Sequence, residues 1–349
     1  MDEMNEEAQA PVKKTGCHNC VNPETEPGYL TPLCRECRKQ LSRYPVLNSV
    51  KWAAAGVALL FLISAYNLPR YLKAGVTYQR ALKAENTHHY VTEKKLLEKV
   101  LQQFPDNFEA GAHYIIASYN NDEPEVVDSM LEKMSGKQNE NQDLINKVND
   151  VLDGFRYLKL IDTSFAASLS KLDEKSPEYE QALNTYCSKR YNDVCARFML
   201  GSYAYNQGNY AKADSVLSKL VQETPDFRYA MLWLANTYRE EKQYDKAIRV
   251  YNDILLQNAE ASYAFAGIAK IMLKQKQDKE ALKKAMQAYE LEPEAISSVY
   301  TLSLAYHFNN NIQERDRFYK KVKSLADADG DYSSANELTD IFNGKTDYR

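Results

Sequence analysis

Residues 52–68 read WAAAGVALLFLISAYNL, a run without a formal charge that closes at Pro69 and Arg70. At about 1.5 Å per residue these seventeen positions cover roughly 26 Å, slightly short of a ~30 Å hydrocarbon core. Residues 46–50 lengthen the run if Lys51 snorkels to the interface, where Trp52 and Tyr66 are also at home. The pattern predicts a transmembrane helix over 46–68. A buried soluble helix is a poor alternative, because every face is uncharged in a chain otherwise so polar. About fifty residues precede the run, more than an ordinary cleaved signal peptide carries, so it reads as an uncleaved anchor. Ala54-x-x-x-Ala58 is a small-residue face on which two anchors could pair as a homodimer.

Beyond the anchor the apolar positions recur at i, i+3 and i+4, and only 12 glycines and 11 prolines interrupt the whole chain. That pattern predicts an all-α protein. Shifting the C-terminal half by 34 residues aligns AYNQGNYAKADSVLSKLVQETPDF with TYREEKQYDKAIRVYNDILLQNAE, and the latter with IMLKQKQDKEALKKAMQAYELEPE. Leu200, Leu234, Ile268 and Leu302 share one position, followed by the small residues Gly201, Ala235, Ala269 and Ser303. Ala213, Ala247 and Ala281 share another, and Pro225 and Pro293 close two units, with Ala259 in the equivalent place between them. Large residues form a buried stripe and small ones mark a close helix approach, as in a repeated helical hairpin.

These positions resemble the tetratricopeptide repeat, in length and in the order of large, small, aromatic, Ala and Pro. Three units are clear over 194–227, 228–261 and 262–295. A fourth at 296–329 keeps its first helix but places Arg315 where the family prefers Ala, which speaks against a regular second helix. Upstream, KKLLEKVLQQFPDN and EVVDSMLEKM fit degenerate units at about 74–107 and 108–141. The predicted organisation is an N-terminal module with a disordered start over 1–45, the anchor, degenerate repeats over 70–141, divergent helical hairpins over 142–193, repeats over 194–329, and a capping helix and tail over 330–349. Asp327, Asp329 and Asp331 alternate as in a calcium loop, but Gly330 comes too early and the closing acid is misplaced. A polar turn before a capping helix is the better reading.

Charge excludes one class of partner. The 44 basic and 48 acidic residues are spread along the chain for a net −4, so no nucleic-acid face is predicted. Catalytic spacing is absent: there is no Gly-x-Ser-x-Gly, no phosphate loop and no His-Glu-x-x-His, and a non-enzyme is expected. His88 and His89, without a partnered acid or cysteine at ligand spacing, read as surface residues.

The N-terminal segment CHNCVNPETEPGYLTPLCREC is different. Cys17, Cys20, Cys34 and Cys37 form two Cys-x-x-Cys pairs, which can each close a knuckle around one tetrahedral ion. Four thiolates would satisfy a structural Zn2+ and supply the folding free energy that a polar segment lacks. The pairs resemble a small zinc ribbon or treble-clef-type finger, although Val21 stands where Gly is usual. A redox pair, two disulfides and free thiols are the competing readings, and His18 is an alternative ligand. Zinc thiolates belong to reducing compartments, which would place the N-terminus in the cytoplasm and the repeats outside it. The flanking charges do not decide, since Arg38, Lys39, Arg43 and Lys51 balance Arg70, Lys73, Arg80 and Lys83. Cys187 and Cys195 could meet across a turn at Asn192-Asp193, and a disulfide there would fit exported repeats; the alternative is two small core residues.

The resemblance implies a membrane-anchored, non-catalytic scaffold that binds a protein or peptide in a groove lined by the first helix of each unit. Carried over by register, the groove residues are Tyr205, Asn206, Asn236, Arg239, Lys270, Lys274 and His307. The carboxylate clamp of chaperone-binding members is only partly echoed, by Asn236 and Lys270. A transmembrane sensor coupling the zinc module to the repeats, and a subunit that holds a separate catalytic chain, are the alternatives.

Overall fold

The computed structural model describes residues 16–42, 47–136, 140–174 and 176–349. The predicted disordered start of the N-terminal module and the predicted first residue of the anchor, Val46, lie outside the described residues. No strand occurs among the described residues, and the all-α expectation holds. Two units divide between Tyr71 and Leu72.

In the first unit, α1 (Arg35–Leu41) follows the second cysteine pair, and α2 (Asn48–Glu85) carries the apolar run. Trp52, Leu60, Phe61, Leu62 and Ile63 are all at least half exposed, and an 18-residue window of α2 is wholly unburied. This helix is long and apolar enough to cross a membrane. It does not stop where the apolar run stops. Pro69 lies inside it, which removes one ladder hydrogen bond without ending the helix, and its 38 residues span about 57 Å.

The second unit begins with the last turns of α2, where Ala74, Ala81 and Ala84 are buried. There follow α3 (Tyr90–Gln103), α4 (Phe108–Asn120), α5 (Pro124–Met134), α6 (Gln142–Phe155), α7 (Thr163–Leu169) and α8 (Pro177–Lys189). The regular array is α9 (Val194–Asn206), α10 (Tyr210–Glu223), α11 (Arg228–Glu240), α12 (Tyr244–Gln257), α13 (Ser262–Lys274), α14 (Asp278–Leu291), α15 (Ile296–Phe308) and α16 (Ile312–Asp329), closed by α17 (Ser333–Phe342). This is a solenoid of antiparallel hairpins of tetratricopeptide type. Leu200, Leu234, Ile268 and Leu302 are buried, and Ala213, Ala247 and Ala281 lose all exposure where the helices cross.

The hairpin turns repeat as well. Gly208, Lys242, Lys276 and Asn310 are left-handed and fall 34 residues apart, as do His88 and Asp122 upstream. A left-handed residue after a helix lets the chain reverse while the last carbonyls are still satisfied. The N–H of the following residue then bonds back into the helix, as Gln243 does to Tyr238.

Arg315 does not prevent a regular second helix in the fourth unit, for α16 runs 18 residues. The guanidinium leaves the helix crossing and lies over the Phe342 ring, 4.9 Å from its centroid, so no buried charge results. Left-handed Gly330 ends α16, while Asp327 accepts from the Tyr332 hydroxyl and Asp331 from the Ser333 N–H. Those acids bond within the turn that joins α16 to α17. The Cys187–Cys195 disulfide is not formed: both residues are buried free thiols, pushed up to about 11 by burial.

One packing feature joins residues far apart in sequence. Arg228, 6% exposed, donates to the Tyr119 carbonyl at 2.8 Å and to Asp122 at 3.1 Å. Asp122 also accepts from Tyr263 at 2.6 Å, and Asn258 donates to the Asn120 carbonyl. Glu260 accepts from the N–H and hydroxyl of Thr92. The turns of the α3–α4 region are thereby fastened to the loops that link the regular units.

Candidate functional site

Two constellations carry the candidate chemistry. In the N-terminal module the two cysteine pairs converge, with all four Sγ atoms within 4.8 Å of one another and Cys20 and Cys34 3.6 Å apart. Cys34 is the N-cap of α1, so its Sγ accepts the Cys37 N–H at 3.5 Å. Cys17, Leu33, Cys34 and Cys37 are the module's small core. Burial pushes the Cys17 thiol up, but the backbone N–H groups of Cys34, Asn19 and Cys20 outweigh it and bring it down to about 6. For Cys37 the Asn19 amide pulls down, and the Cys20, Cys34 and Cys17 thiols prevail, to about 12. Four soft donors at these separations fit a tetrahedral ion, since Zn–S bonds of ~2.3 Å set sulfurs roughly 3.8 Å apart. The cysteines could bind a metal, and all four are free thiols. His18 is exposed and has no place in the converging set.

In the repeat unit the first helices α9, α11, α13 and α15 contribute one face each to a cavity of about 390 Å³. Tyr205, Arg239, Lys270 and Lys274 line it. Arg239 is held in place by Asn236, which accepts from its Nη1 at 2.8 Å and from the Tyr251 hydroxyl at 2.7 Å. Asn236 is therefore occupied inside the array. Tyr205 stands edge-on to Trp233 at 4.9 Å, and Lys270 lies 4.6 Å over the Tyr300 ring. Burial, followed by the Arg239 guanidinium, pushes Lys270 down to about 8.

Two register positions do not reach the cavity: Asn206 is exposed at the end of α9, and His307 stacks 4.7 Å from Phe342 of α17. The remaining lining is Glu240, Tyr300, Glu337, Thr346, Asp347 and Tyr348. Glu240 could have been found, because it shares the repeat position of Asn206 and Lys274. The tail residues had no such signal. They come from the chain's own C-terminus: Lys274 donates to the Tyr348 carbonyl at 3.2 Å and lies 4.5 Å over its ring. Arg349 pairs with Asp278 and lies 3.8 Å over the Phe308 ring. The groove thus already holds a non-helical peptide segment.

Residues 204–271 match the family model of the tetratricopeptide repeat. The matched stretch begins in α9 and ends in α13, within the regular array. Among solved structures, a tetratricopeptide protein from Thermus thermophilus, TTC0263, is 17% identical, covering 48% of this chain and 88% of its own at a TM-score of 0.41. MamA from Desulfovibrio magneticus RS-1 is 18% identical, covering 48% and 93% at 0.39. YrrB, described as a tetratricopeptide protein with an unusual peptide-binding site, is 15% identical, covering 50% and 97% at 0.33. No curated protein matches significantly.

Proposed function

We propose that this chain is a membrane-anchored, non-catalytic tetratricopeptide scaffold that captures a peptide segment of a protein partner in the groove of Tyr205, Arg239, Lys270 and Lys274. The observation that supports this is the C-terminal segment in that groove, where Tyr348 offers its backbone carbonyl and its ring to Lys274 and the acidic Asp347 joins the lining. A peptide of the same chemistry, an aromatic residue next to an acid, fits by hydrogen bonding and stacking. The tail then acts as an internal competitor. Zn2+ in the cysteine quartet folds the N-terminal module, and α2 holds the array beside the bilayer.

The test is binding of a fluorescent peptide of residues 343–349 to the full chain and to a chain ending at residue 344. The shortened chain should bind at least ~10-fold more tightly, because the intact tail occupies the site at high effective concentration. Lys274→Ala in the shortened chain should remove most of that gain. Equal, weak binding by both chains would sink the groove assignment.

A further inference from the structure

The last turn of α2, the first turn of α3 and the middle of α4 bring together Glu85, Glu93 and His113, three residues that share no motif. Their donor atoms lie within 4.8 Å of one another, and all three residues are buried. Glu93 has no exposed surface, and neither of its carboxylate oxygens has a hydrogen-bond partner. Glu85 is fully engaged: one oxygen takes the His113 Nδ1 and the other accepts from Lys147 of α6 at 2.8 Å. Tyr78 packs edge-on against the imidazole at 5.8 Å. A buried carboxylate without donors is costly, and it must acquire either a proton or a cation.

We propose that Glu85, Glu93 and His113 bind a divalent transition-metal ion of the manganese or zinc class, clamping α2, α3 and α4 together. The donor set decides the class of ion. One imidazole nitrogen with two carboxylate oxygens suits zinc, manganese or iron, whereas calcium takes six to eight oxygens and magnesium seldom takes imidazole. Tetrahedral ligands ~2.0–2.2 Å from an ion stand roughly 3.3–3.6 Å apart, so side-chain adjustment closes the cluster without moving a helix. Lys147 stays on the outer Glu85 oxygen and orients it, as outer-shell donors do. Its side chain is 54% exposed, which marks the side from which an ion reaches the cluster. The competing account is a proton shared between Glu93 and Glu85, and it predicts no ion at all.

The full chain in detergent, stripped with chelator, separates the two. Manganese is the probe, because a hard ion leaves the soft cysteine quartet empty. Saturating Mn2+ should raise the unfolding midpoint of the second unit by at least about 3 °C, and equilibrium dialysis should find one bound ion per chain. Glu93→Gln, which keeps the volume, should abolish both effects, and His113→Gln serves as the second variant if the first does not fold. No bound manganese in the unaltered chain, or equal binding by the folded variants, overturns the site and leaves the shared proton.

Discussion

Gly267 lies where α13 meets Tyr251 of α12, and a Cβ there would come within 2.2 Å of that ring. Tyr251 is fully buried and its hydroxyl is committed to Asn236, so it cannot swing away. Helix propensity alone would favour Gly267→Ala by about 1 kcal/mol. The clash should win and leave the variant about 1–3 kcal/mol less stable, read as a lower denaturation midpoint. Gly75→Ala in α2, with open space around it, is the matched control and should be neutral or slightly stabilising. Lys270 carries a second prediction. Its ammonium is pushed down to about 8 in the fold against 10.5 for a free lysine. The folded state therefore binds fewer protons than the unfolded state between those values, and stability rises as pH climbs from about 8. Over the same range the groove loses a positive charge. Affinity of the shortened chain for the 343–349 peptide, whose Asp347 joins the groove lining, should fall between about pH 7 and about pH 9.5, and Lys270→Arg should flatten that fall. A profile unchanged by the substitution would show that Lys270 does not face the ligand.

At the scale of elements, the fastening of the end of α4 to the start of α11 rests on Arg228. Removing its side chain leaves Asp122, with 14% of its side chain exposed, without its cation. Breaking a buried pair from one side costs about 3–5 kcal/mol. Arg228→Ala should speed amide hydrogen exchange in α3 and α4, whereas α15 and α16 should keep their protection. Uniform loosening of every helix would mean that the array melts as one block. This contact also shows where sequence reasoning stops. The regular hairpins were legible because burial repeats every 34 residues, and a stripe such as Leu200, Leu234, Ile268 and Leu302 shows that period directly. Arg228 and Asp122 are 106 residues apart, and neither position differs in composition from a solvated surface residue. His88 was legible as exposed, but not as the donor to the Leu256 carbonyl, nor as a left-handed turn residue. The cysteine quartet could be read because both pairs are local. Glu85, Glu93 and His113 could not, since only the packing of three helices brings them together. The groove fell between these cases: register found Tyr205, Arg239, Lys270 and Lys274, while the tail that fills it follows from no period.

At the scale of the molecule, the proposed membrane anchor predicts a sidedness for each unit, and the structure changes how that prediction is tested. Cys187 and Cys195 are buried, so they would resist labelling in either orientation and cannot report on the repeats. Glu294 can. Its side chain is 74% exposed and makes one surface ion pair with Lys321, worth little to stability. Glu294→Cys therefore places a reactive thiol on the array without disturbing its packing. The flanking positive charges are balanced, so the thiol chemistry of the N-terminal quartet is the stronger argument, and it favours a reducing compartment for that module. In intact cells a membrane-impermeant maleimide should label the introduced thiol at once. The quartet should react only after permeabilisation and, because zinc protects thiolates, only once a chelator is added. Labelling of the quartet from outside would reverse the orientation. Labelling after permeabilisation without chelator would keep the orientation and remove the zinc.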